Sequence, residues 1–141
     1  MPGLLSVAII TLNEEANIAR TLRSVEFADE VIVLDSGSTD RTLEIAASFP
    51  NVKVATQPWK GFAAQKNDAI ERCTGAWVLS LDADERLSDE LQAEIRALLP
   101  HNPDADAYLL RRRNLFLSRW IRRGGYYPDA NGFAKMHSPS K

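Results

Sequence analysis

Asp82, Asp84 and Glu85 place three carboxylates in four positions, directly after the apolar run Trp77-Val-Leu-Ser-Leu81. Like charges that close repel each other unless a proton or a cation is shared between them. A hard divalent ion, Mg²⁺ or Mn²⁺, accepts oxygen ligands and leaves positions open for substrate phosphates. If the apolar run is a strand, both aspartates stand at its carboxyl end. Side chains two apart in an extended segment share a side, so the pair is expected to aim at one point. The competing reading is a solvated acidic turn whose charges favour the start of the next helix.

Two further polar clusters bear on that choice. Thr11-Leu-Asn-Glu-Glu15 follows the mostly apolar stretch 4–10, and Asp35-Ser-Gly-Ser-Thr-Asp40 follows Glu30-Val-Ile-Val-Leu34, whose last four residues are apolar. All three clusters lie just past a run that reads as a buried strand. In a doubly wound sheet such strand ends share one edge, so the clusters are expected to converge on one crevice. Each has a structural alternative. Asn13 reads as a helix N-cap, and Ser38 and Asp40 are as well suited to capping as to binding. Asp35 is harder to set aside, because a carboxylate at the end of a buried strand must find a partner or solvent.

The elements that must hold these clusters follow from periodicity. Ile18, Leu22 and Val25 repeat at helical spacing, as do Leu43, Ala46 and Ala47 in a helix stopped by Pro50. Residues 52–55 form a short third strand and 57–61 a loop. Residues 62–72 form a helix with Phe62, Ala69, Ile70 and Cys73 inward, closed by Gly75 as a left-handed C-cap. Trp59 and Phe62 read as packing residues rather than a sugar-stacking pair. Leu91, Ile95 and Leu98 mark a further helix before Pro100, and residues 104–110 a further strand. Strand and helix alternate through the first hundred residues, which implies right-handed crossovers and a mostly parallel sheet flanked by helices, an α/β fold.

Composition narrows the function class. The chain has 141 residues, 45% hydrophobic and 26% charged, which suits one folded domain with a real core. A net charge of −2 argues against a general nucleic-acid binder. No apolar run reaches the length of a membrane span and no signal peptide is legible, so a cytoplasmic location is expected. Cys73 is the only cysteine and reads as a small buried hydrophobe. His101 and His137 have no partner at metal-ligand spacing.

Four stretches in order carry a family likeness. Ser6-Val-Ala-Ile-Ile-Thr-Leu-Asn-Glu-Glu15, Glu30-Val-Ile-Val-Leu-Asp-Ser-Gly-Ser-Thr-Asp40, Gly61 with Gln65-Lys-Asn67, and Leu81-Asp-Ala-Asp-Glu85 together resemble family 2 glycosyltransferases of the GT-A (Rossmann-like) fold. Arg111-Arg-Arg-Asn-Leu-Phe-Leu-Ser-Arg-Trp-Ile-Arg-Arg-Gly-Gly-Tyr-Tyr-Pro-Asp129 is most similar to the lipopolysaccharide-core β-glucosyltransferase group. The resemblance implies inverting, metal-dependent transfer of a hexose, glucose first, from a UDP-sugar to a glycan or glycolipid acceptor. It implies that Thr11, Asn13 and Glu14 line the nucleoside pocket and that Asp35 accepts the ring N–H of the base. Lys66 would reach the base or diphosphate, although on residue odds it reads as a solvated helix lysine. Asp82 would lie beside the ribose and donor sugar, and Asp84 would bind the Mg²⁺ or Mn²⁺. Asp82 and Asp84 are thus the expected catalytic pair.

The likeness runs from about Leu5 to Asp129, so residues 1–129 are expected to form one donor-binding half, and residues 130–141 read as an irregular tail. Family members carry the general base and acceptor wall further on, so the chain is expected to be a truncated domain, with Asp129 its last candidate base. The alternative to turnover is a nucleotide-sugar-binding module without catalysis. The basic, aromatic stretch 111–127 suits an anionic inner-membrane face or a phosphorylated acceptor, and equally an ordinary packed element. A truncated sheet would expose apolar edge surface and favour a homo-oligomer. Two other enzyme classes fit less well. A nucleotidylyltransferase calls for a glycine-rich loop where residues 11–15 have none. A phosphohydrolase with an Asp-x-Asp nucleophile would form a covalent aspartyl-phosphate.

Overall fold

The computed structural model describes residues 5–75, 77–98, 107–111, 116–120 and 132–135, the last three as backbone strands. In chain order the elements are β1 (Leu5–Thr11), α1 (Ile18–Arg23), β2 (Glu30–Asp35), α2 (Thr42–Ala47), β3 (Val52–Thr56) and α3 (Phe62–Glu71). They continue as β4 (Trp77–Ser80), α4 (Asp89–Leu98), β5 (Ala107–Arg111), β6 (Phe116–Trp120) and β7 (Gly132–Lys135). The strands form one sheet in the order β3-β2-β1-β4-β7-β5-β6. The β3-β2, β2-β1 and β1-β4 pairings are parallel, and the rest are antiparallel. This is the expected α/β sheet, with helical crossovers between its parallel strands.

β1, β2 and β4 are buried almost throughout because both faces are covered. Alternation divides them between two cores. Leu5, Val7, Ile9, Val31, Val33, Trp77 and Leu79 face Ile18, Leu22, Ala46, Leu91 and Ile95 of α1, α2 and α4. Ala8, Ile32, Leu34 and Val78 face Ala69 and Cys73 beneath α3. Each branched side chain taken fully from water contributes roughly 1.5–3 kcal/mol. This packing therefore fixes both register and height, and a slip by one residue would turn every apolar side chain to the wrong face.

Register decides what reaches the rim. Thr11 is level with Asp35 across β1 and β2, and Ala8 is level with Ser80 across β1 and β4. The Leu81 N–H donates to the Ala8 carbonyl at 3.1 Å, extending that ladder to the edge of the acidic cluster. The carboxyl ends of β2, β1 and β4 thus lie side by side, and the three polar clusters leave from the same edge.

The opposite edge is held by a buried acid. Glu30 accepts hydrogen bonds from Ser6 Oγ at 2.6 Å, Thr74 N at 2.5 Å and Thr74 Oγ1 at 2.9 Å, and pairs with Lys53 at 3.0 Å. Burial pushes its carboxyl up, but these donors outweigh burial and bring the pKa down to about 2. Beside it, burial and the Glu30 charge push the Cys73 thiol up to about 12, which makes it an inert core residue, as expected.

Four local expectations are corrected. Asn13 is not a helix N-cap: its φ is +54°, and α1 starts at Ile18, after Asn17. Gly75 is not in the left-handed region; a Cβ there would sit 2.7 Å from Ser6 Oγ and 2.8 Å from Ser6 N, so the position needs glycine for close approach. Phe62 is not inward but 71% exposed. The stretch after residue 129 is not wholly irregular, because β7 pairs with both β4 and β5. Asp129, His101, His137, the Leu98 side chain and the side chains of residues 111–127 lie outside the described residues.

Candidate functional site

The loops after β1 and β2 are bound to each other along their length. Thr11 Oγ1 donates to Asp35 Oδ1 at 2.6 Å, and the Asn13 N–H donates to Ser38 Oγ at 2.8 Å. In return the Thr39 N–H donates to Asn13 Oδ1 at 2.8 Å. The Glu14 N–H reaches Thr42 Oγ1 at 2.8 Å, the Glu15 N–H reaches Asp40 Oδ2 at 3.2 Å, and the Arg41 N–H reaches Glu15 Oε1 at 2.9 Å. The positive φ of Asn13 lets its backbone N–H and its side chain both face the second loop. A short polar side chain with local bonds tolerates that conformation best after glycine.

Asp35 organises this junction. It is wholly buried and accepts from Thr11 Oγ1 and Ser38 Oγ on Oδ1, and from the Gly37 and Ser38 N–H groups on Oδ2 at 2.9 and 2.7 Å. Two oxygens offer about four acceptor positions, and all are taken. Burial raises its pKa, and these donors outweigh burial, leaving it below the usual carboxylate range. The Asp35 carboxylate thus ties the two loops together at the place where a contact with the nucleobase N–H is expected. Asp40 has a capping role, accepting from the Thr42 hydroxyl and N–H, and these bonds lower its pKa.

The acidic cluster is held from another direction. Thr21 Oγ1 on α1 lies 2.8 Å from the Ala83 carbonyl and 2.5 Å from the Glu85 carbonyl, and the Leu87 N–H donates to Ser24 Oγ at 3.0 Å. The segment is a turn, with the Glu85 N–H donating to the Asp82 carbonyl at 3.1 Å. The extended geometry expected for Asp82 and Asp84 is corrected accordingly, because Ala83 is drawn into the core and its neighbours are turned about it. Asp82 is half-buried and its Oδ1 lies 3.6 Å from Lys66 Nζ of α3. Asp84 is exposed and has no side-chain hydrogen bond or ion pair among the described residues.

Thr11, Asn13, Glu14, Asp35, Lys66, Asp82 and Asp84 are thus brought to one edge of one sheet. Thr11 and Asp35 are buried structural members, Asn13 and Glu14 carry the loop, and Lys66, Asp82 and Asp84 retain exposed surface. Thr21, Ser24, Thr42 and Gln65 were missed as supports. The legible signal was a polar residue on an inward stripe, Thr21 between Ile18 and Leu22. No group of three or more His, Cys, Asp or Glu side chains among the described residues is arranged to hold a metal alone. Mg²⁺ commonly uses one or two carboxylates and completes its shell with water and substrate phosphate. An exposed Asp84, unpaired among the described residues and next to Asp82, fits that donor set. Among the described residues no helix is long and apolar enough to cross a membrane.

Comparison with known proteins agrees with this architecture. The model for "Glycosyl transferase family 2" matches residues 6–138. An uncharacterized glycosyltransferase of Rickettsia typhi is 50% identical over 102 residues, covering 71% of this chain and 35% of that protein. The lipopolysaccharide core biosynthesis glycosyltransferase LpsC of Rhizobium meliloti is 34% identical over 129 residues, covering 89% of this chain and 46% of that one. Glucosyl-3-phosphoglycerate synthase from Mycobacterium tuberculosis, solved with Mn²⁺, UDP and glucosyl-3-phosphoglycerate, superposes with a TM-score of 0.61 at 25% identity, covering 74% of this chain and 42% of that one. The chain spans between a third and a half of the length of these relatives. With nearly its whole length matched by the family model, the chain belongs to glycosyltransferase family 2.

Proposed function

We propose that this chain binds a UDP-sugar at the carboxyl edge of β2, β1 and β4 and serves the inverting transfer of a hexose, glucose first, to a glycan or lipopolysaccharide-core acceptor. The observation that carries the reading is the set of loops bound together at that edge, with Asp82, Asp84 and Lys66 among its accessible charges. LpsC supports the acceptor class, and the Mn²⁺ and UDP complex of the mycobacterial synthase supports the donor and the ion.

Asp84, with Asp82 beside it, would hold Mg²⁺ or Mn²⁺ together with the donor diphosphate, and the ion supplies positive charge where the leaving UDP gains negative charge. The chain's own residues do the positioning. The Asp35 junction keeps the first two loops rigid, so Asn13 and Glu14 present a preformed wall to the nucleoside. Thr21 and Ser24 hold the acidic turn at fixed height against α1. Lys66 balances Asp82 and turns to the diphosphate when that arrives. Pre-organised charge of this kind costs little reorganisation during reaction. Inversion also requires a carboxylate base on the far side of the sugar.

A UDP-release assay with UDP-glucose and Mn²⁺, with and without a lipopolysaccharide-core acceptor, tests the reading. Acceptor-dependent release is expected from a complete site. UDP binding without release would assign donor binding alone, and absence of both would refute the proposal.

A further inference from the structure

The place of Asp84 is set by its neighbours' backbone. The carbonyls of Ala83 and Glu85, one on each side of it in the chain, both lie against the Thr21 hydroxyl of α1, at 2.8 and 2.5 Å. A threonine hydroxyl carries one proton, so the two acceptors share it. Both flanks of Asp84 are therefore tied to a single oxygen, 62 and 64 positions away in sequence. The margins of the turn are fixed separately. The Leu81 N–H donates to the Ala8 carbonyl at 3.1 Å, and the Leu87 N–H donates to Ser24 Oγ at 3.0 Å. The Asp84 side chain is exposed, so the turn is held without it.

Thr21 is itself well anchored. It is buried between Ile18 and Leu22 on the inward stripe of α1. Its N–H donates to the Asn17 carbonyl at 3.1 Å, and the Asn17 and Ile18 N–H groups donate to the Glu14 carbonyl at 3.0 and 2.8 Å. Its own carbonyl accepts from Ser24 Oγ at 2.7 Å. Ser24 Oγ thus donates to Thr21 and accepts from Leu87, closing a ring of bonds between α1 and the turn. Valine would fill this core position with the same shape, but it would leave the two carbonyls without their donor. Such carbonyls turn toward other partners, and the residue between them turns with them. A divalent ion of the Mg²⁺ kind demands closely defined ligand geometry, and groups that orient a ligand without touching the ion tune its affinity.

We infer that Thr21 is a positioning residue for the divalent ion: by holding the carbonyls on both sides of Asp84, it fixes where that carboxylate stands. The assignment rests on the nucleotide-sugar reading above. The test uses the full chain and calorimetry, with Mn²⁺ titrated into the UDP-saturated protein and UDP titrated into the metal-free protein. Thr21→Val should weaken Mn²⁺ binding by roughly 10- to 100-fold. Its metal-free UDP affinity should stay within about twofold of the parent, and Thr21→Ser, which keeps the hydroxyl, should restore Mn²⁺ binding to that range. Without metal, the Glu85 and Leu87 amides should exchange hydrogen faster in Thr21→Val relative to the amides of β2. Ile18→Val trims the same stripe without touching the turn, and it should leave Mn²⁺ affinity unchanged. If Thr21→Val does not fold, Thr21→Cys, a weaker donor of similar size, should show a smaller loss in the same direction. A lower Tm in Thr21→Val with unchanged Mn²⁺ affinity would overturn the inference, leaving Thr21 a core hydrogen bond and the nucleotide-sugar reading intact. Equal losses in Thr21→Val and Thr21→Ser would also overturn it, in favour of packing by the methyl group. No Mn²⁺ uptake by the unmodified chain with UDP would sink both.

Discussion

Replacing Asp35 tests whether its carboxylate is a structural hub. In Asp35→Ala the Gly37 and Ser38 N–H groups lose their acceptor, and the Thr11 and Ser38 hydroxyls lose theirs. A hydroxyl can rotate to a new partner, but a backbone N–H cannot. Each stranded N–H costs about 1–3 kcal/mol, and partial access of water to the turn lowers that, so the variant should lose about 2–4 kcal/mol. Asp35→Asn keeps one oxygen for the two N–H groups and offers its amide to the hydroxyls, which can turn to accept. It loses mainly charge assistance and should cost about 1–2 kcal/mol. The sign with pH follows from the lowered pKa. Above the unfolded value of 3.8 the stabilisation is fully present, and it is lost as pH falls through the lower folded value. Urea unfolding at pH 7 and at pH 3 reads both effects, with the m-value as a check on two-state behaviour. An alanine variant within about 0.5 kcal/mol of the parent would refute the hub, since that is the range of an ordinary surface substitution. Equal losses in the alanine and asparagine variants would refute the acceptor argument.

Other consequences are equally direct. Glu30 goes from 4.5 when unfolded to about 2 when folded, which corresponds to about 3 kcal/mol of stability at neutral pH. That contribution is complete above pH 4.5 and disappears as pH falls through about 2. Glu30→Gln should therefore lower stability at pH 7 and converge with the parent near pH 2, and parallel pH curves would contradict this. Gly75→Ala places a Cβ against Ser6 backbone and should cost about 1–3 kcal/mol, read as a lower Tm; an unchanged Tm would show that the close approach relaxes freely.

The parallel core was legible because strands buried on both faces are apolar runs, as in residues 31–34, and because the helices between them kept their apolar spacing. The convergence of three polar clusters was legible for the same reason, since parallel strands must end on one edge. What escaped was set by partners far along the chain. Asn13 looks like a cap within its own window, but its side chain binds Thr39, 26 residues on. Gly75 looks like a helix terminator, yet the constraint comes from Ser6 on β1. Asp35 was correctly singled out as a carboxylate needing partners, and its partners proved to be the chain's own donors. Phe62 sits at an apolar position of a helix whose first turn overhangs the sheet, so spacing alone assigned it to the core. β7 is a short strand of small and mixed residues, Gly-Phe-Ala-Lys, stabilised by the two strands it pairs with and carrying little local signal.

The central claim is that loops from separate strands meet at one rim and hold a divalent ion against a diphosphate. Thermal unfolding with UDP, alone and with Mn²⁺, measures it, because a ligand bound only to the folded state raises Tm. The account predicts a larger shift with Mn²⁺ than without, and loss of that increment alone in Asp84→Ala. An increment that survives the substitution would contradict the account.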